Sequence, residues 1–124
     1  MQSVSSNAVA ESLSYVVGQE IKTGGKFFDG TNWKDVYKRI YLATVSHGSH
    51  VPLNISNLDN IIRIDGDFRY NSGGNWYTMQ LNNPNDSGWY SRCNVEKNEY
   101  FSWMIGGFGT VNAQMIIEYT KTTD

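Results

Sequence analysis

The chain has 124 residues, a length that favours one domain with at most a short appendage. Its formal net charge of −2 gives no basic footprint for nucleic acid, and its 14% of aromatic residues argues against a disordered chain. No stretch approaches the roughly 18 apolar residues of a membrane span, and no basic segment followed by an apolar run predicts a signal peptide.

The first predicted element is a short helix in residues 4–17. Polar residues at its start can cap it, and Gly18 can end it. Its apolar residues have heptad-like spacing: Val9, Leu13 and Val16. A helix of about three turns is marginal alone in water, so we expect it to pack on copies of itself or on the following domain. We therefore predict a helical neck in residues 1–20 and a β-rich tip domain in residues 21–124.

From residue 21 onward, short strands alternate with turn signals. Asp29-Gly30 is typical of a hairpin turn, residues 65–66 read as a strand-ending turn, and residues 96–99 read as a charged turn. The predicted strands lie in residues 26–28, 36–45, 60–66, 76–81, 89–95, 100–105 and 111–119. Strands at this spacing predict an all-β fold, an antiparallel β-sandwich of jelly-roll type with the short helix in front.

The last predicted strand has the clearest alternation in the chain. Every second residue is apolar: Val111, Ala113, Met115, Ile117 and Tyr119. Polar residues occupy the other parity, with Ile116 as the one apolar exception. A period of two indicates a half-buried strand, so we expect this segment to supply one face of the core.

The sequence offers little for catalysis or metal binding. His47 and His50 lie in a Gly/Ser loop and Cys93 is remote, whereas a metal site needs three or four compatible ligands. Asp65 and Asp67 are the nearest approach to a carboxylate pair, but acids in turns are usually solvated. We therefore predict no catalytic residue, no metal and no cofactor, and we expect Cys93 to be a buried apolar side chain.

Aromatic residues beside polar loops are the better functional candidates. An aromatic ring can cover the C–H face of a sugar while neighbouring amides and carboxylates bind its hydroxyls. Such residues edge the loops at 71–75 and 82–88 and make up the candidate glycan site: Tyr70, Asn71, Asn75, Trp76, Asn85, Asp86, Trp89 and Tyr90. The same rings could instead fill the core or bury against a neighbouring subunit.

Parity separates the tryptophans of this candidate site. If Tyr77, Met79 and Leu81 face inward, Trp76 faces outward and is the better ligand residue. Trp89 could belong to the core, because its strand places Cys93 and Val95 on the same parity.

Four segments resemble the C-terminal receptor-binding modules of tail fibres from phages and prophages of gut bacteria. Residues 5–10 (Ser-Ser-Asn-Ala-Val-Ala) resemble the junction before the head domain. Residues 28–30 (Phe-Asp-Gly) with 36–39 (Val-Tyr-Lys-Arg) resemble the opening hairpin. Residues 54–62 resemble the central motif, and residues 117–122 (Ile-Glu-Tyr-Thr-Lys-Thr) resemble the ending.

This resemblance implies a homotrimeric fibre tip on the virion, assembled in the bacterial cytoplasm, and a chain that is a piece of a longer fibre protein. Its implied function is non-enzymatic recognition of a bacterial surface glycan, without nucleic acid or membrane insertion. Two alternatives remain open at this point. One is a purely structural module that holds the fibre trimer together, and the other is a tail enzyme that degrades polysaccharide.

Overall fold

The computed structural model describes residues 14–69, 74–78 and 90–123. All regular elements in these ranges are β-strands, and all strand pairs are antiparallel, which confirms the predicted all-β class. None of the described residues forms a helix that could cross a membrane. The strands are β1 (Ser14–Val17), β2 (Ile21–Phe28), β3 (Trp33–Val45), β4 (His50–Pro52), β5 (Leu58–Arg69), β6 (Tyr77–Thr78), β7 (Tyr90–Glu96), β8 (Tyr100–Gly106) and β9 (Val111–Lys121).

The strands form a large and a small sheet. In the large sheet the order is β1-β3-β9-β5-β6, and β2 pairs with β3 beside β1. The small sheet has the order β4-β8-β7. Strand β9 lies in the middle of the large sheet, where Met115 is opposite Tyr41 of β3 on one side and Gly66 of β5 on the other. The strand that is last in the described sequence is therefore central in space.

The core lies between the two sheets. Tyr41 of the large sheet meets Phe101 of the small sheet edge to face, with ring centroids 4.9 Å apart. The predicted alternation of β9 is confirmed, because all five residues of its apolar parity are buried: Val111, Ala113, Met115, Ile117 and Tyr119. Removing these side chains from water is worth about 25 cal/mol per Å² of apolar surface, so β9 supplies much of the stabilising burial.

The side of the large sheet that points away from this core is called the outer face below. It is formed by the residues of each strand that alternate with the core-facing residues. It carries Ile40, Leu42 and Thr44 of β3, Asn112, Gln114 and Ile116 of β9, and Asp65, Asp67 and Arg69 of β5. Two of its aliphatic side chains, Ile40 and Leu42, are exposed.

Two predicted turns are present. The amide of Asp29 donates to the Asn32 carbonyl at 3.0 Å, and Gly30 between them has φ of +102°, which a glycine tolerates. The Glu99 amide donates to the Glu96 carbonyl at 2.9 Å. Both hairpins thus form where the sequence indicated them.

The helix predicted for residues 4–17 is wrong for its last four residues, since Ser14–Val17 is strand β1, paired with β3. Aromatic and β-branched side chains at Tyr15, Val16 and Val17 favour a strand once an edge is available for pairing. Gly18 then ends the strand. A Cβ there would lie 2.9 Å from the Ile40 carbonyl oxygen, so the close approach requires glycine. Residues 1–13 of the predicted neck lie outside the described residues.

Two strand predictions also need correction. Residues 65–66 do not turn, because β5 continues through Gly66 to Arg69 along the edge of β9. Strand β4 (His50–Pro52) is not among the predicted strands, and its first residue, His50, was assigned to the Gly/Ser loop. Three residues are too few for a period to be recognised.

Candidate functional site

Trp76 lies on the outer side of the large sheet, just before β6. Its side chain is 47% exposed. The next residue, Tyr77, turns to the core side and stacks on Phe68 with ring centroids 5.6 Å apart. The alternation expected for these two residues is therefore present in the structure.

The guanidinium of Arg69 holds the Trp76 ring. Its carbon lies 5.1 Å from the indole centroid, a cation–π geometry. Arg69 ends β5 on the outer face, opposite Asn112 of β9. Such a contact is worth about 0.5–1 kcal/mol at an exposed site, enough to bias the orientation of the ring. The indole and a positive charge are therefore presented together.

A shallow depression of about 200 Å³ lies beside this ring. Its lining includes Val16 and Leu42 on one side and Thr44, Asn112 and Trp76 on the other. The Thr44 hydroxyl donates to Oδ1 of Asn112 at 2.9 Å, which orients the amide and leaves its nitrogen as a donor for a ligand. The depression is called the outer-face site below.

The outer-face site combines three kinds of group that carbohydrate recognition uses. The indole offers an apolar face for C–H groups. The Asn112 amide can bind hydroxyls, and Arg69 brings positive charge.

The other predicted site residues are only partly described. Asn75 is exposed next to Trp76. Tyr90 begins β7 in the small sheet, opposite Gly106. The structure does not describe its side chain. The remaining members of the predicted set lie outside the described residues: Tyr70, Asn71, Asn85, Asp86 and Trp89.

Sequence reasoning missed Arg69, Thr44 and Asn112. Thr44 and Asn112 are 68 positions apart and meet only through the register of β3 with β9. No local signal pairs such residues. A signal did exist for Phe28 and Trp33, which flank the predicted hairpin turn and become cross-strand partners.

A cleft of about 800 Å³ opens between the two sheets on the side of β5 and β7. Ile64, Met115, Cys93 and Val95 give it an apolar lining. Burial raises the pKa of the Cys93 thiol to about 12, so the sulfur stays protonated and unreactive near neutral pH. Cys93 is half-buried and behaves as an apolar wall of the cleft.

The histidines serve as structural groups. Nδ1 of His47 accepts a hydrogen bond from the Ile105 amide at 3.1 Å, and the His50 ring stacks on Tyr100 at 4.3 Å. Across the described ranges, no three His, Cys, Asp or Glu side chains gather into a set that could hold a metal ion.

The predicted carboxylate pair lies on the outer face rather than in a turn. Asp65 is bound by Arg63, with Nη2 to Oδ2 at 2.6 Å. Asp67 lines a small depression of about 150 Å³ with Ile40 and Gln114. The two acids share a face because they are two positions apart in a strand.

An ionic cluster closes one end of the large sheet. Glu20 accepts a hydrogen bond from the Tyr119 hydroxyl at 2.6 Å and pairs with Lys121 at 2.9 Å. Burial alone would raise the pKa of Glu20, but these two donors outweigh it and hold the pKa below its ordinary value. Burial and the Glu20 charge raise the pKa of Tyr119, so its hydroxyl remains a donor.

Comparison of the chain with protein-family models, with curated proteins and with solved structures finds no match.

Proposed function

We propose that this chain is a tail-fibre tip module that binds a bacterial surface glycan without cleaving it. Four segments that resemble such modules support the proposal, as do two antiparallel sheets sharing one core. The proposal includes a jelly-roll-like β-sandwich, a homotrimer, and a place on the phage virion after assembly in the bacterial cytoplasm.

The observation that carries the proposal is the half-exposed indole of Trp76 beside a guanidinium. A large apolar ring left 47% exposed gains little stability for the fold and gives a ligand a flat apolar surface. The Asn112 amide, oriented by Thr44, lies at the same depression. A pyranose ring stacked on the indole would present hydroxyls to this amide.

The charge of Arg69 favours an acidic glycan. A guanidinium binds carboxylate or phosphate groups through charge-assisted hydrogen bonds. Surface polysaccharides that contain uronic acids or phosphate are therefore the expected ligand class. Weak sites repeated on three subunits would gain strength by avidity.

The test is binding of the full chain to acidic capsular polysaccharides and whole cells across gut bacterial strains. Trp76→Ala should weaken binding at least about tenfold, equal to about 1.4 kcal/mol. The melting temperature should fall much less than for a core tryptophan, because about half of the Trp76 surface is already in water. Trp76→Phe keeps an aromatic face and is the matched control that should retain part of the affinity.

Unchanged binding per folded Trp76→Ala molecule would contradict a role for the outer-face site. The same polysaccharides should release no reducing ends on incubation. Release that Asp67→Asn abolishes would support the polysaccharide-degrading alternative instead, since Asp65 is engaged by Arg63 and Asp67 is the better candidate acid.

A second observation favours the purely structural alternative. Aliphatic side chains form a patch on the outer face: Val16, Ile40, Leu42 and Ile116. The exposed fraction is 60% for Val16 and 46% for Leu42. Such a patch is typical of an interface between subunits. A trimer contact there and glycan binding at Trp76 are compatible only if the contact leaves the indole accessible.

A further inference from the structure

The β2–β3 hairpin carries two aromatic rings at its tip. Phe28 and Trp33 are register partners on the last strand pair before the turn, with ring centroids 5.3 Å apart and planes at 47°. Trp33 is 69% exposed and Phe28 48%. Among the described large apolar residues, Trp33 is the most exposed.

The turn that carries these rings is fixed by hydrogen bonds. Oδ1 of Asp29 accepts from the Thr31 amide at 2.8 Å and from the Asn32 amide at 2.7 Å. Ion pairs of Asp35 with Lys26 and Lys22 join the two strands behind the tip. The backbone that carries the rings is thus ordered before any partner arrives, which lowers the entropy cost of binding.

Polar side chains occupy the turn between Phe28 and Trp33. Oδ2 of Asp29, the Thr31 hydroxyl and the Asn32 side-chain amide make no hydrogen bond to other described residues. An apolar partner would bury these groups without satisfying them, which is unfavourable. A sugar ring has an apolar C–H face for the aromatic rings and a rim of hydroxyls for the polar atoms.

A cross-strand aromatic pair also stabilises a hairpin, and this structural role needs no ligand. That role does not call for a tryptophan with most of its surface in water. The exposure of the Trp33 ring is what the structural role leaves unexplained.

We propose that the Phe28–Trp33 pair is a second carbohydrate site, which stacks a neutral hexopyranose. Asp29 at the turn repels a carboxylated or phosphorylated sugar, whereas Arg69 at the outer-face site attracts one. The two sites lie roughly 36 Å apart along β3, from Trp33 to Thr44 at about 3.3 Å per residue. A short oligosaccharide therefore cannot fill both. The inference extends the proposed function but rests on different residues.

The experiment follows the indole N–H signals of the ¹⁵N-labelled full chain by NMR. The probes are neutral oligosaccharides of glucose, mannose, galactose and N-acetylglucosamine, titrated to millimolar concentration. At least one should shift the Trp33 signal, which is assigned by its loss in Trp33→Phe, and should leave the Trp76 signal in place. Trp33→Ala should abolish binding of that sugar, and Phe28→Ala should weaken it severalfold.

Trp76→Ala is the matched control and should bind the neutral sugar like the wild type. The proposal is overturned if none of the four sugars shifts the Trp33 signal, or if Trp33→Ala binds as well as the wild type. A Trp33 signal that moves with protein concentration alone would also overturn it, because a second copy would then cover the rings. If Trp76→Ala still binds acidic polysaccharide, only the role of the outer-face site is contradicted. The two outcomes are therefore separable.

Discussion

Glu20 is the residue whose charge joins the segment after β1 to the end of β9. Its two carboxylate oxygens accept hydrogen bonds, one from the Tyr119 hydroxyl and the other from the Lys121 ammonium. The pKa of Glu20 is lowered in the folded state, so the folded protein holds the ionised form more strongly than the unfolded chain does. This contribution to stability is present above the ordinary glutamate value of 4.5 and is lost as the pH falls through the lower folded value.

Glu20→Gln should therefore make the melting temperature depend less on pH in the acid range. Below a pH of about 4.5 the difference in melting temperature between wild type and variant should shrink, because the wild-type carboxyl becomes protonated. Thermal melts at a series of pH values measure it. Glu99→Gln, at an exposed turn position, is the control that should follow the wild type. Parallel curves for Glu20→Gln and wild type would exclude this role.

Single residues also show where sequence reasoning ends. The outward direction of Trp76 followed from parity, because Tyr77 is its neighbour in a strand. Its partners Arg69 and Asn112 did not follow, because a register between distant strands brings them together. Local pattern predicts which face a side chain occupies. It does not predict which residues share that face.

At the scale of elements, β9 provides a matched pair of positions for a stability test. Ile117 is fully buried in the core, and Ile116 beside it points to the outer face. Ile117→Ala should cost about 2–5 kcal/mol of unfolding free energy, the usual cost of a cavity in a core. Ile116→Ala should cost clearly less, because water can fill the space. Urea unfolding measures both, and equal losses would contradict the assignment of faces.

Elements with strong local signals were predicted, and elements defined by pairing were not. The turns at Asp29 and Glu96 and the alternation of β9 can be recognised from neighbouring residues in the sequence alone. Strand β1 has helix-like spacing in its sequence, yet pairing with β3 determines its conformation. Gly66 looks like a turn residue, but the edge of β9 keeps it in strand. Tertiary pairing outweighed the helix-like spacing at β1 and the turn preference of Gly66.

At the scale of the whole molecule, the aliphatic patch leads to a prediction about assembly. The full chain should sediment at about three times its monomer mass of 14.0 kDa at micromolar concentration. Leu42→Ser, at a position 46% exposed, should shift the trimer toward monomer while the strands stay paired. Thr44→Ser, in the same strand, is the control. A wild-type chain that sediments as a monomer would remove the trimer from the proposal.

The central place of β9 has a consequence for biosynthesis. A ribosome releases β3 and β5 before β9, so the two strands that flank it wait with unpaired edges until its residues emerge. The large sheet cannot close progressively as the chain grows, and its long-range pairings form late. Contacts of this kind slow folding and expose apolar strand edges to other nascent chains. We therefore expect the yield of soluble protein to depend on the rate of translation and on chaperones that shield these edges.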